Sequence, residues 1–317
     1  MDHSLNLKAA ERTLSGVTGL TDVRLEVIVD GVNKTLTGQC KRGDFYLRLS
    51  PAELHTADAV KSEARTLAFI AGHDAIVATR PFFEDSHAGA AFKWSGETYH
   101  GIATTVAMGS PFDNSNKQMS LFGSVLAKLH SIPVLEALEV QESSGAGALS
   151  DAAATGPLAE SVSTARTSVH AWITDETPTH SGAKAILHGD AWPGNARFQS
   201  SSATLFDFEH TSVGDPTRDI ANVAWWLTGI DQTPQRKSEL WHSFLEGYRS
   251  SMNSRDLDLS CLPYHVYLSE LRSLLFLNTF IALSPEVEAS IKDGTQHRVR
   301  TWRDCTVGSD GSIVHAW

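Results

Sequence analysis

The sequence predicts an α+β chain with a small β-rich N-terminal lobe and a larger, mainly helical C-terminal lobe. Three observations predict it. Up to about residue 106, short runs rich in β-branched and aromatic residues alternate with Gly, Asn, Asp and Ser turns, and one helical stripe interrupts them. From Met119 onward the apolar residues recur at helical spacing instead. Between the two regimes, Gly109-Ser110-Pro111 breaks the chain. The expected organisation is therefore residues 1–106 as one lobe and 107–317 as the other, since 317 residues can bury two cores.

The elements follow in order. Leu25 to Val29 reads as a strand, and Gly31 to Thr35 as a loop. Thr35 to Cys40 and Phe45 to Leu49 read as strands around a Lys41-Arg42-Gly43-Asp44 turn. In the last of these Phe45, Leu47 and Leu49 share one face, and Tyr46 and Arg48 the other. Val60, Ala64, Leu67 and Ala71 trace the stripe of a helix over His55 to Ala71, with Glu63 beside it. Pro81 to Phe83, Ala91 to Trp94 and Thr98 to Val106 read as further strands.

Beyond the break, Leu121, Phe122, Val125, Leu126 and Leu129 mark a helix over Met119 to Ile132, with His130 as a packing or capping histidine. Gln141 to Gly156, rich in Ala, Ser and Gly, reads as a loop or weakly ordered insertion. Ala159 to Ile173, Leu240 to Tyr248 and Tyr264 to Leu283 read as helices. Ile220, Val223, Ala224 and Leu227 trace another, with Asp219 placed to cap its start and Trp225 and Trp226 expected in the core.

Composition narrows the function classes. Hydrophobic content of 41% and charged content of 20% are those of an ordinary globular protein. No apolar run reaches the ~18 residues of a membrane span. The N-terminal stretch has neither the basic region nor the apolar core of a signal peptide. Three widely spaced cysteines form no CxxC pair and fit a reducing compartment, so a cytoplasmic location is expected. A net charge of −11 argues against nucleic acid as a partner. It fits either plain solubility or a cleft for a cationic small molecule.

One stretch carries chemistry. ILHGDAWPGNARF, a polar turn, and ATLFDFEHTSVGDPTRD bring three separable functions. Asp190 can orient and deprotonate an attacking hydroxyl. Asn195 and Asp207 supply an amide oxygen and a carboxylate, the hard donors that Mg²⁺ prefers. Ala196 to Phe198 and Thr204 to Phe206 read as a hairpin around Gln199 to Ser202, which would bring Asn195 and Asp207, twelve residues apart, together. Positioning and charge cancellation are what phosphoryl transfer to an alcohol requires. Each piece alone also fits a turn or a helix cap; the ordered set is specific.

HGDAWPGN followed by LFDFEHTSVGDPTRDIA resembles the aminoglycoside phosphotransferase and choline kinase-like superfamily, which includes homoserine kinases and bacterial stress-response kinases. The shared pattern is HGD, four residues, Asn, a hairpin, a hydrophobic-Asp-aromatic-acid run, then Gly-Asp-Pro and an Asp opening a helix. The resemblance implies a protein kinase-like bilobal fold, Asp190 as catalytic base, and Asn195 and Asp207 as metal ligands. It implies supporting roles for His188 and Asp219. It also places Arg48 where relatives usually carry lysine, gripping nucleotide phosphates with Glu63 as its partner; an ordinary surface ion pair is the alternative. An arginine keeps the charge but alters the geometry.

The nucleotide loop lacks GxGxxG and GxxxxGK[ST]. Asn33, Thr35 and backbone amides of the Gly31 to Gly38 turn are candidates to cover phosphates, with a plain hairpin turn as the alternative. Met108 marks the stretch expected to face an adenine ring through its backbone. The leading expectation is an ATP- and Mg²⁺-dependent kinase acting on a hydroxyl of a small molecule, such as an amino alcohol, aminoglycoside, homoserine-like compound or sugar. Alternatives are a protein Ser/Thr kinase of the stress-response type and a nucleotide-binding pseudokinase. Eleven residues between Asp207 and Asp219 leave no long activation segment for a polypeptide, and all three chemical residues are present.

Overall fold

The computed structural model describes residues 4–74, 77–84, 87–134, 155–175, 184–252, 257–308, 310–314 and 317. The chain divides into two compact units. The first takes Met1–Gly109 and Thr204–Glu209; the second takes Ser110–Val134, Gln141–Ala203 and His210–Trp317. Among the described residues the division differs from 1–106 and 107–317 in two places. It runs on to Gly109, taking in the irregular stretch that follows Thr105. The first unit also takes in residues 204–209, because the Thr79 N–H donates to the Leu205 carbonyl and the Leu205 N–H to that of Val77.

The first unit is a five-stranded antiparallel sheet in the order β1-β2-β3-β5-β4: β1 (Arg24–Asp30), β2 (Lys34–Cys40), β3 (Gly43–Pro51), β4 (Ala90–Trp94) and β5 (Glu97–Thr105). The alternation in β3 holds: Phe45, Leu47 and Leu49 are buried, with Leu36 opposite Leu47 on β2. Helix α2 (Ala57–His73) starts at Thr56, whose side chain accepts from the Ala59 N–H, and buries Val60, Glu63, Ala64, Leu67 and Ile70.

Two features depart from expectation. A helix, α1 (Ser4–Thr18), precedes the sheet and packs Ala10 and Leu14 into its core. Pro81 to Phe83 is no strand; it makes only an isolated bridge, Pro81 to Thr104, with the Phe82 N–H donating to Ala103. Proline has no N–H with which to carry a ladder further.

The second unit is mainly helical: α3 (Asn116–Ser131), α4 (Ala159–Asp175), α5 (Thr217–Gly229), α6 (Pro234–Ser251), α7 (Leu262–Phe280) and α8 (Pro285–Arg303). Helices α3 and α6 make its most extensive contact. Gly123 and Gly247 allow it, since a Cβ on either would overlap the carbonyl of Phe244 or of Ser120 on the opposite helix. Strand β6 (Ala185–Leu187) pairs antiparallel with β9 (Ser212–Gly214). The expected hairpin is present as β7 (Ala196–Phe198) and β8 (Ala203–Leu205), turning where the Gln199 N–H donates to Ser202. Two short strands, β10 (Thr306–Val307) and β11 (Ile313–Val314), pair near the C-terminal end. The expected loop over Gln141 to Gly156 lies outside the described residues apart from Thr155 and Gly156.

Trp225 and Trp226, expected in the core, are both only half-buried. All three cysteines are free. Among the described residues no helix is long and apolar enough to cross a membrane.

Candidate functional site

The first unit gathers Arg48, Glu63 and Asp207. Arg48 stands on the face of β3 opposite the buried Phe45–Leu47–Leu49 row, and Glu63 is buried on α2 beside Val60 and Ala64. The guanidinium grips the carboxylate with two bonds, Nη1 to Oε1 at 3.1 Å and Nη2 to Oε2 at 2.5 Å. The same Nη1 donates to Asp207 Oδ1 at 2.8 Å. Nε donates to Ser50 Oγ at 3.2 Å and lies 3.7 Å from Glu209 Oε2.

Burial alone would lower the Arg48 pKa, but Glu63, Asp207 and Glu209 together raise it. Glu63 moves upward because burial outweighs the pull of Arg48, with Asp207 and Glu209 adding to the rise. Asp207 has a left-handed backbone, φ +67°, and a side chain 36% exposed.

Asn33 joins this group through Glu209. It closes the β1–β2 turn, and its Nδ2 donates to Glu209 Oε2 at 2.7 Å, while its Oδ1 is buried without a hydrogen bond. His55 Nε2 approaches the same Glu209 oxygen at 3.6 Å. Thr35 is the direct cross-strand partner of Arg48 and shares its face of the sheet. Met108 stands apart, 64% exposed in the irregular stretch after β5. Glu209 is a residue that sequence reasoning did not single out; its signal was its place two residues beyond Asp207 in the DFE run.

The second unit gathers His188, Asp190, Asn195 and Asp219. Buried β6 delivers the chain to His188, fully buried, and to Gly189, whose φ of +84° and contact with His210 leave no room for a Cβ. Asp219 holds this turn from α5. Its Oδ2 accepts from the His188 N–H at 2.6 Å and its Oδ1 from the Gly189 N–H at 2.9 Å.

Asp219 is not the helix cap expected of it. The cap position is Pro216, which makes no side-chain cap bond, and the Asp219 carboxylate points back to the loop instead. His130, expected only to pack or cap, bonds Asp219 Oδ2 through Nε2 at 3.0 Å and the Tyr248 hydroxyl through Nδ1 at 2.7 Å. Burial would raise the Asp219 pKa, but the hydrogen bond and charge of His130, then His188 and the Gly189 N–H, hold it below the usual carboxylate range.

Asp190 is steadied by amides. Asn195 Nδ2 donates to its Oδ2 at 2.8 Å and to its carbonyl at 3.0 Å. Asn222 Nδ2 reaches its Oδ1 at 3.4 Å and the Ala191 carbonyl at 3.2 Å. Asn222 was not foreseen; its place one helical turn after Asp219 was the available signal. Asn195 ends a short 3₁₀ turn, Pro193–Asn195. Because both of its bonds to Asp190 run through the nitrogen, its amide oxygen is the atom left for a cation. That oxygen is a hard donor of the kind Mg²⁺ prefers.

Amicoumacin kinase, solved with AMP-PNP and Ca²⁺, is similar in fold at a TM-score of 0.70 and 14% identity, covering 94% of this chain and 95% of its own. A microcompartment-associated aminopropanol kinase matches at 0.70 and 17%, covering 96% and 98%. A macrolide 2'-phosphotransferase from Brachybacterium faecium matches at 0.59 and 19%, covering 91% and 98%. No curated protein matches the sequence. At these identities the likeness shows the fold, an antiparallel N-terminal sheet with a helical C-terminal part. Residues 33–252, more than half of the chain, match the Phosphotransferase enzyme family, and this chain belongs to it.

Proposed function

We propose that this phosphotransferase moves the γ-phosphoryl group of ATP to a hydroxyl of a small molecule, with Asp190 as the base and Asn195 and Asp207 as the ligands of Mg²⁺. The observation that carries the reading is the Asp190 carboxylate. It sits on a loop anchored by Asp219, and two side-chain amides fix its orientation. A carboxylate held this way can align an acceptor hydroxyl and take its proton as the new O–P bond forms. Phosphoryl transfer rests on positioning, so a base fixed in place serves it.

Mg²⁺, when bound, neutralises charge on the phosphate oxygens. Arg48, backed by Glu63, presents a guanidinium suited to two-pronged phosphate contact. Asn33 and Thr35, the latter opposite Arg48, border that charge on the sheet. The backbone near Met108 is the proposed adenine-facing stretch, and His188 and Asp219 hold the catalytic turn. A small acceptor is favoured over a polypeptide, because only β9 and the start of α5 lie between His210 and Asp219.

Asp190→Asn keeps the volume and removes the base. ADP release measured with ATP, Mg²⁺ and a panel of hydroxyl acceptors should fall by about 10³-fold or more for a variant that melts like the parent. An Asp190→Asn protein with full turnover would refute the assignment.

A further inference from the structure

Helix α5 presents Asn222, Trp225 and Trp226 on one half-buried face, at i, i+3 and i+4. Asn222 is the point where this face meets Asp190. One turn further along, Trp226 meets Trp192 with ring centroids 6.3 Å apart and Phe112 at 5.8 Å. Phe112 continues to Phe198 at 5.8 Å. Trp192 itself stands between Asp190 and Asn195 in the chain. Its ring is pressed on Gly194, where a Cβ would overlap it. The indoles are therefore braced by neighbours while remaining half-buried, and among the described residues neither indole N–H has a hydrogen-bond partner. Braced aromatic surface with free polar edges beside a reacting group is what a ligand platform offers.

The charge on this face limits what it can hold. Glu270, buried against it, is already engaged by Trp225 Nε1 at 2.6 Å, Thr295 Oγ1 at 2.5 Å and Arg298 Nε at 2.6 Å. Arg298 in turn lies over the Trp225 ring, 5.6 Å from its centroid. A multiply cationic molecule laid on the face would meet that guanidinium, and Glu270 is already matched to it.

We propose that Trp192 and Trp226 form the acceptor platform, and that the acceptor is an uncharged ring-bearing alcohol, a sugar or comparable saturated ring. Its apolar face stacks on the indoles while one hydroxyl reaches Asp190, and the two indole N–H groups suit its remaining oxygens. This rests on the reaction proposed above.

The test uses the full chain with ATP and Mg²⁺, reading ADP release. The acceptors are methyl glycosides and cyclic polyols, choline and ethanolamine, and a polycationic aminocyclitol. Ring alcohols should give the highest kcat/KM. Trp192→Ala and Trp226→Ala should each lower it about 10- to 100-fold through KM, with Trp→Phe variants recovering much of the loss. The same acceptors should quench tryptophan fluorescence of Asp190→Asn protein, and less so when Trp192 or Trp226 is also Phe. Preference for choline or the polycation would overturn the platform, as would folded Ala variants with unchanged KM. If Asp190→Asn still abolishes turnover in that case, the reaction stands and only the platform fails. If Asp190→Asn leaves turnover intact, the reaction itself is wrong.

Discussion

Replacing Asp219 by Asn tests the anchor of the catalytic turn. The carboxylate accepts three bonds: His188 N–H at 2.6 Å and His130 Nε2 at 3.0 Å on Oδ2, and Gly189 N–H at 2.9 Å on Oδ1. An asparagine amide has one oxygen. In either orientation its NH₂ faces at least one of these donors, and the surviving bonds lose their charge assistance. Asp219 is 1% exposed, so water does not make good the loss. One orphaned buried donor costs roughly 1–3 kcal/mol, and weakening two charge-assisted bonds about 1 kcal/mol each, giving about 3–5 kcal/mol. That is a large part of a typical ~5–15 kcal/mol stability.

Urea unfolding at neutral pH measures it. The pH dependence adds a second check. Because the Asp219 pKa is depressed in the folded state, its contribution is complete above the ordinary carboxylate pKa of about 3.9 and is lost as pH falls through the folded value. The gap between parent and variant should therefore be constant near neutrality and narrow below about pH 4. A loss under ~1 kcal/mol, or a gap that widens on acidification, refutes the anchoring role.

Two other perturbations probe the first unit. Arg48→Lys keeps the charge but cannot fork onto Glu63 while reaching Asp207, so urea unfolding should show about 1–2 kcal/mol lost and KM for ATP should rise about tenfold or more. An unchanged KM would place Arg48 outside phosphate binding. Titrating Mg²⁺ into the protein should raise Tm in proportion to ln(1 + [Mg²⁺]/Kd), and Asp207→Asn should remove that rise. An equal shift in the variant would mean that the ion binds elsewhere.

The residues proposed to carry the chemistry were legible as candidates because they sit in a short, ordered run: HGD, Asn195 and Asp207 follow one another around a hairpin whose turn residues are explicit. Strand β3 was legible from strict alternation, and α5 from its Ile220–Leu227 stripe. What escaped was contact across long separations. Asn33 meets Glu209 across 176 residues, His130 meets Asp219 across 89, and Asn222 meets Asp190 across 32. No local pattern encodes such pairs. Helix α1 buries only Ala10 and Leu14, so its stripe is too thin to stand out. Trp225 and Trp226 were misjudged because hydrophobicity was taken as burial, although large aromatic residues also serve exposed faces. The Asp219 cap failed for a related reason: an acidic residue in a first helical turn suits the dipole, but its carboxylate accepts instead from two backbone N–H groups on another loop.

The carboxylates around Arg48 explain why that arginine and the proposed metal belong to one design. One guanidinium faces Glu63, Asp207 and Glu209, at 2.5, 2.8 and 3.7 Å. With all three ionised, the group carries a net charge of −2 around a side chain only 12% exposed. Glu63 records the strain in its upward pKa, led by burial and reinforced by Asp207 and Glu209 despite its two bonds to Arg48. Like charges so close in a poorly solvated site are costly unless a cation completes the balance. Arg48 cannot do so, since Glu63 already takes both of its terminal nitrogens. A divalent ion on the Asp207 carboxylate can, and it would release Nη1 from Asp207 while its bond to Glu63 remains. The excess negative charge therefore fits a protein whose charge is completed by its metal and nucleotide.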